Sequence, residues 1–327
     1  MGKRAIQVAL IGCGGNMQRA HLPRLEADGG IEIVCVADTN RENADALLEA
    51  WGKDAVYYED YNKMIRQQDM EAVIISSPHS VHYEQARLGL QKGCHVCVEK
   101  PLTVSSRHTK GLIALADKRK CFLQVAYQRH YQPAYVVARQ AIKDGAIGEI
   151  VGLTGYITQN WGSARGWRLD PELSGGGMFM DTGSHLVAVL LWLTGLEPAE
   201  VSAFLTNAGK KVDINAVINI RFKGGAVGTV NTFGNASAHD EQVAIHGTEG
   251  SIVFHSHGWK LDSVLLNNEP LKVRKSLKEN TPDQAFFDWI RGGNEEYSPP
   301  DYALQVARLS EAVYKSVSGK KPVRVAR

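Results

Sequence analysis

Ala5-Ile6-Gln7-Val8-Ala9-Leu10-Ile11-Gly12-Cys13-Gly14-Gly15-Asn16-Met17 is the stretch whose reading decides the fold. Ala5 to Ile11 is a short apolar run and reads as a buried strand. The glycines after it read as a strand–turn–helix entrance. Gly12 permits a tight turn, and Gly14 lets a pyrophosphate approach the backbone. Cys13, Gly15 and Asn16 complete the turn. The helix beyond offers N–H groups and the positive end of its dipole to phosphates. Met17 stands where a dinucleotide fingerprint has its third glycine, so a looser fit of helix on strand is expected. Two glycines alone are common in turns, so the surrounding pattern has to carry the reading.

Ile31 to Ala37 is a second apolar run, and it ends at Asp38. A carboxylate about twenty residues after the glycines can accept both ribose hydroxyls of an adenosine. Asp38-Thr39-Asn40 also suits the cap of a helix over Arg41 to Trp51. Asp38 would repel a 2′-phosphate, which favours NAD over NADP, while Arg41 keeps NADP as the lesser alternative. Ala72 to Ser76 reads as a strand with Ser77-Pro78 as its exit. Ser80 to Gln91 then reads as a helix, with Gly93 as its C-cap. His95-Val96-Cys97-Val98 is another buried strand, stopped by Pro101, which has no N–H for a ladder. It delivers Glu99 and Lys100 to its carboxyl end, where open parallel sheets bind ligands. Lys100 there is either a cation for substrate and cofactor or an ordinary solvated strand end. A helix over Ser105 to Lys118 and a strand over Cys121 to Ala126 follow. Strands alternating with helices predict βαβ units and a parallel sheet.

After Tyr127 the rhythm changes. A helix from Pro133 to Asp144 precedes strands at Ile150–Trp161, Val201–Thr206, Ile214–Phe222, Ala226–Phe233, Gln242–His246 and Ser251–His255. Gly224-Gly225 reads as a two-residue hairpin turn. Ile214, Ala216, Ile218, Ile220 and Phe222 alternate with more polar residues, so one face is core and the other faces solvent or a second copy. The expected class is α/β. Residues 1–126 form a doubly wound parallel sheet. Residues 127–327 form an α+β domain with a large, open, mostly antiparallel sheet. In the second domain a helix is expected over Gly176 to Leu193. It places Asp181 and His185 on one face, a turn apart. A carboxylate there can orient the imidazole, although a surface pair fits the same spacing. Helical patterns at Asp283–Arg291 and Tyr302–Ser318 are expected to pack back toward the first domain.

Composition narrows the function classes. The 327 residues are 44% hydrophobic and 22% charged with a net charge of +2, enough for two cores and without a long basic run. Nucleic acid is therefore not expected as a partner. No run of about 18 apolar residues stands out, so no membrane span is expected. The start Met1-Gly2-Lys3-Arg4 lacks a signal-peptide pattern, and Ile6 stands where a myristoylation signal needs Ser or Thr. Cytoplasm is the expected location. Five cysteines, Cys13, Cys35, Cys94, Cys97 and Cys121, predict free and mostly buried thiols. Cys94 and Cys97 have redox or zinc spacing, but a strand points them to opposite faces and no second pair exists. His255-Ser256-His257 reads as a hairpin end, so no metal is expected.

These motifs in order resemble the glucose–fructose oxidoreductase/inositol dehydrogenase family (Gfo/Idh/MocA). The likeness spans nearly the whole chain and includes Gly93-Cys94-His95-Val96-Cys97-Val98-Glu99-Lys100-Pro101 and Ser174-Gly175-Gly176-Gly177-Met178-Phe179-Met180-Asp181-Thr182-Gly183-Ser184-His185. The resemblance implies an N-terminal Rossmann domain and assembly as a dimer or tetramer through the second sheet. It implies oxidation of a secondary alcohol of a sugar or cyclitol, or the reverse reduction, with a nicotinamide cofactor. By motif, Lys100 would bind the reacting oxygen and the nicotinamide ribose, His185 would be the general acid/base, and Asp181 its partner. Ser77, Pro78 and His82 would border the cofactor. That suits hydride transfer, in which a histidine with an ordinary pKa near ~6.5 takes the alcohol proton and a cation stabilises the oxyanion. Leu186 to Val189 stand where some inositol-specific relatives carry a further carboxylate, which counts against inositol. Two other implied readings are a redox-neutral glycosidase or epimerase with retained NAD, and a nucleotide-binding sensor without catalysis.

Arg129, Tyr156, Trp161, Trp167, Arg168 and Asp170 are the substrate-side candidates. An aromatic face can cover the C–H face of a sugar while the polar groups bond its hydroxyls. Trp167-Arg168 lies in a glycine-flanked loop before the helix of His185, where specificity often resides. Packing of the loop onto the sheet is the equal alternative for Trp167.

Overall fold

The structure, a computed structural model, describes residues 4–293 and 298–326. Met1 to Lys3, on which the reading of Gly2 rests, lie outside them. The chain divides into two compact units. The first takes Met1–Thr103, Arg107–Ala126 and Thr281–Asp301, and the second takes Val104–Ser106, Tyr127–Asn280 and Tyr302–Arg327.

In the first unit the strands are β1 (Ile6–Ile11), β2 (Ile31–Ala37), β3 (Val56–Tyr58), β4 (Ala72–Ile75), β5 (His95–Val98) and β6 (Leu123–Val125). All pair in parallel in the order β3-β2-β1-β4-β5-β6. The order reverses between β1 and β4, the switch point beside which such sheets bind dinucleotides. Val8, Leu10, Ile33, Val36, Ile74 and Cys97 are fully buried, as strands covered on both faces must be. The helix Pro282–Ile290 adds Phe286 and Phe287 to the same core. β3 and the helix Tyr61–Gln67 have no counterpart in the sequence reading, because three- and seven-residue elements carry too little periodicity.

In the second unit β7 (Ile150–Thr158), β8 (Pro198–Thr206), β9 (Asn215–Phe222), β10 (Val227–Phe233), β11 (Asp240–Gly247), β12 (Ser251–His257), β13 (Lys260–Leu266), β14 (Glu269–Pro270) and β15 (Val323–Arg324) form one sheet. Its order among the described residues is β14-β13-β12-β11-β7-β10-β9-β8-β15, antiparallel except for β7 with β10. Leu153, Gly155 and Ile157 of β7 face the helix Ser184–Thr194. A Cβ on Gly155 would stand 3.0 Å from both Leu186 and Leu190. Thr154 and Tyr156 alternate onto the open face, as do Val217 and Asn219 of β9. The β9–β10 connection is a three-residue loop, Lys223 to Gly225, rather than a two-residue turn. Phe222 N–H donates to Ala226 O, and both glycines have positive φ.

Two further expectations change. The helix Pro300–Gly319 belongs to the second unit from Tyr302 onward, where Ser316 Oγ accepts from Ala203 N–H and Tyr314 Oη donates to Asp213. The segment Pro171–Thr194 is long and apolar enough to cross a membrane by length and composition, contrary to the sequence reading. It is 89% buried within the protein over that window, as a core helix is. All five cysteines are free, and all but Cys121 are buried.

Candidate active site

The glycine turn of the first unit has a steric cause. Gly12 has φ +84°, and a Cβ there would meet Ser76 O at 2.6 Å, so only glycine fits where β1 leaves beside β4. A Cβ on Gly14 would meet nothing within 4 Å, which leaves the space a phosphate needs. Met17 is fully buried, and the helix opens with a π-turn over Met17–His21. The wider turn stands where a third glycine would let the helix pack closer. Cys13 turns its thiol into the core. Burial, then the Asp38 charge, push that thiol up to about 12. Cys13 N–H donates to Asp38 Oδ2 at 2.7 Å, and Asn40 N–H donates to Asp38 Oδ1 at 2.8 Å. Asn40 caps the next helix through Glu42 N–H, so the cap falls to Asn40 and not to Asp38. Arg41 pairs with Asp45 at 2.7 Å and lies over the Tyr57 ring. Asn16 donates to Ser76 Oγ at 3.1 Å, and Ser77 to Gln85 at 2.5 Å, which ties the turn to the β4 exit.

His82 and Glu99 act differently from the sequence reading. His82 is fully buried, with ring nitrogens 2.9 Å from Ser77 O and from Pro101 O. Burial lowers its pKa against the pull of the two carbonyls, and the ring ties the β4 exit to the β5 exit. Glu99 is turned inward. Its Oε1 lies 3.2 Å from His21 Nε2, and its Oε2 accepts from Lys100 N–H at 3.1 Å. His21 Nδ1 lies 2.6 Å from Asp283, which also takes Arg24 at 2.9 Å. Burial lowers the His21 pKa, but the Asp283 and Glu99 carboxylates outweigh it and raise it to about 10. A buried imidazolium between two carboxylates thus holds the strand end from which half-buried Lys100 extends.

In the second unit the triple glycine has three separate causes. Gly175 is the left-handed C-cap of the helix Pro171–Ser174, with φ +70°. A Cβ on Gly176 would overlap Tyr314 Oη, and one on Gly177 would overlap the Asp213 carbonyl. Asp213 accepts from Gly177 N–H at 2.8 Å, from Phe179 N–H at 2.9 Å and from Tyr314 Oη at 2.8 Å. It anchors the free amides at the start of the next helix. The expected single helix is a π-turn over Phe179–Gly183 followed by the α-helix Ser184–Thr194. Asp181 therefore lies in the wide turn and His185 in the first α-turn, a local geometry frequent at functional sites. Asp181 is buried and accepts from Arg168 Nε at 2.8 Å. The Arg168 guanidinium also lies 4.5 Å from the Trp167 ring.

Half-buried His185 lines a small cavity with Gln128, Arg129, Gln132, Tyr135 and Trp259. Arg129 pairs with buried Glu241, and its Nη1 is buried without a hydrogen-bond partner. Burial raises the Glu241 pKa against the pull of Arg129. Of the other substrate-side candidates, three do other work. Tyr156 lies on the open face of the sheet, opposite the helix of His185, and donates to Asp240 at 2.7 Å. Trp161 is buried, its indole N–H bonded to Gln159 at 3.0 Å. Asp170 caps the helix Pro171–Ser174 through Glu172 N–H. Strand parity could have excluded Tyr156, because Gly155 and Ile157 beside it face the helix. Sequence reasoning missed Arg19 beside the glycine turn of the first unit and, in the second, Asp213 beside the triple glycine and His239 and Trp259 near His185. Arg19 carries its guanidinium over Gly15. Its place in the first turn after the glycines was a usable signal, while Trp259 gave none, because β13 was not read as a strand.

The region 6–127 matches a family described as "Oxidoreductase family, NAD-binding Rossmann fold", and 135–253 matches the GFO/IDH/MocA C-terminal domain. Among curated relatives, dTDP-3,4-didehydro-2,6-dideoxy-alpha-D-glucose 3-reductase of Streptomyces violaceoruber is 30% identical over 97% of this chain and 87% of its own length. Levoglucosan dehydrogenase of Pseudarthrobacter phenanthrenivorans is 29% identical over 67% of this chain, and the chain spans 64% of that relative. Among solved structures, the WlbA dehydrogenase from Bordetella pertussis, in complex with NADH and UDP-GlcNAcA, superposes with a TM-score of 0.85 at 25% identity over 99% of this chain and 100% of that one. With a parallel sheet whose glycine turn suits a dinucleotide, and a second sheet that backs a histidine-bearing helix, the chain belongs to the Gfo/Idh/MocA family of oxidoreductases.

Proposed function

We propose that the protein transfers hydride between NAD and a secondary alcohol or ketone of a sugar, glycoside or cyclitol. The observation that carries this reading is Lys100, a cation held at the carboxyl end of β5 by a buried ion network, in a sheet whose glycine turn leaves room for a pyrophosphate. The sugar enzymes among its relatives support the substrate class. NAD is proposed over NADP because Asp38 presents a carboxylate beside the turn, which favours ribose hydroxyls and repels a 2′-phosphate.

NAD, when bound, supplies the hydride acceptor. The protein's own residues have three tasks. His185 takes the hydroxyl proton on a ring nitrogen as the alcohol is oxidised, and returns it in reduction. Lys100 stabilises the negative charge that develops on the reacting oxygen. Asp181, held by Arg168, fixes the turn from which His185 rises, and Arg129, Trp167 and Arg168 bind the sugar.

The experiment is steady-state oxidation by wild type and two variants, with NAD and NADP titrated on each. Lys100→Ala and His185→Ala should each lower kcat by roughly 10²–10⁴-fold. His185→Ala should still bind NAD, and wild type should bind NAD more tightly than NADP. Near wild-type turnover in His185→Ala would remove the histidine from the chemistry, and tighter binding of NADP would remove the role given to Asp38.

A further inference from the structure

Trp259 stands out among the tryptophans. Trp51, Trp161 and Trp192 are buried, whereas Trp259 is 64% exposed. It lies at the tip of the β12–β13 hairpin, where His257 pairs with Lys260 across Gly258 and Trp259. The tip is built rather than loose. Gly258 has φ +59°, and its N–H donates to His239 O at 2.9 Å. The His239 ring meets the indole edge-on, with centroids 4.9 Å apart at 90°. His239 Nε2 is itself 3.1 Å from Gln159 Nε2, and Gln159 takes bonds from Trp161 and Thr182. The His239 ring thus packs on the indole while most of the Trp259 surface faces water. Its centroid lies 6.0 Å from the His185 ring, and it lines the same cavity as Arg129, whose Nη1 N–H has no acceptor.

We infer that Trp259 is the specificity-determining platform of this site, on which the apolar C–H face of a pyranose ring stacks beside His185. The inference rests on the proposed sugar oxidoreductase reading and deepens it. An indole is the best surface for such a face, being large, flat and rigid. Its exposed surface, beside the contact with His239, leaves room for a ring. The buried guanidinium N–H of Arg129 gives the ring hydroxyls a donor at the cavity wall. Linear substrates present no such face, so the platform selects rings over open-chain polyols.

The test is steady-state kinetics of the full chain with saturating NAD on D-glucose, D-galactose, D-xylose, methyl β-D-glucopyranoside and myo-inositol. Wild type is compared with Trp259→Ala, Trp259→Leu and Trp259→Phe. Trp259→Ala and Trp259→Leu should raise KM for the best pyranose by roughly tenfold, the size of a lost aromatic stack. Their kcat should stay within about threefold and NAD affinity should be unchanged, while Trp259→Phe should recover most of the loss. Leu keeps apolar bulk at the hairpin tip without a ring face, so a KM in Trp259→Leu equal to wild type would overturn the platform. A variant set in which kcat falls and KM does not would also overturn it. Wild type that oxidises none of these compounds would overturn the sugar reading together with the platform.

Discussion

At the scale of single residues, the surprise is how many chemically suggestive side chains support others. Glu99 reads from sequence as part of a cofactor motif, yet its carboxylate is taken by His21 and by the Lys100 amide. His82, Trp161 and Asp170 likewise serve as strut, packing and cap. Sequence shows which atoms a side chain carries, but not which neighbour takes them first. His21 makes this measurable. Its folded pKa of about 10 lies above the ordinary histidine value. The stabilisation is therefore complete below about pH 6.5 and is lost progressively as pH rises toward 10. The thermal midpoint should fall across that window. His21→Gln should flatten this slope, and it should cost up to about 3–5 kcal/mol because it removes the buried positive charge between Glu99 and Asp283 and leaves Arg24 and the Lys100 amide on them. A variant with the wild-type slope would show that His21 does not carry the charge.

At the scale of elements, the period of each segment was the reliable signal, and its ends were not. The buried strands β1, β2, β4 and β5 and the alternation along β9 are legible because apolar residues recur every position or every second position. The π-turn at Phe179–Gly183 was not legible, because it arises from long-range packing against Asp213 and Tyr314. The triple glycine was visible, and its cause was hidden for the same reason. Gly177→Ala puts a methyl into the Asp213 carbonyl and breaks the cradle of the helix that carries His185. It should destabilise the second unit by about 1–3 kcal/mol or more, as overpacking does, with loss of activity before NAD binding. Chemical denaturation checks this, and wild-type stability with wild-type turnover would remove the cradle from the account.

At the scale of the whole molecule, the class and the family were legible because motifs from both units occur in order along one chain. The assignment of the C-terminal helices was not, since Pro282–Ile290 and Pro300–Gly319 are both amphipathic and nothing in their patterns says which core each joins. The site could be read only in part. Asp181 and His185 were singled out by spacing and by the resemblance, whereas Trp259 is brought beside His185 by a hairpin far along the chain, outside the motifs that carry the resemblance. Hydride transfer from a sugar carbon is the central claim, and isotope transfer tests it most directly. A pyranose deuterated at every carbon, incubated with wild-type enzyme and NAD, should yield reduced nicotinamide carrying one deuterium by mass spectrometry. His185→Ala should yield it at a rate lower by roughly 10²–10⁴-fold. Reduced nicotinamide without deuterium, or no reduced nicotinamide from any ring sugar, would contradict it.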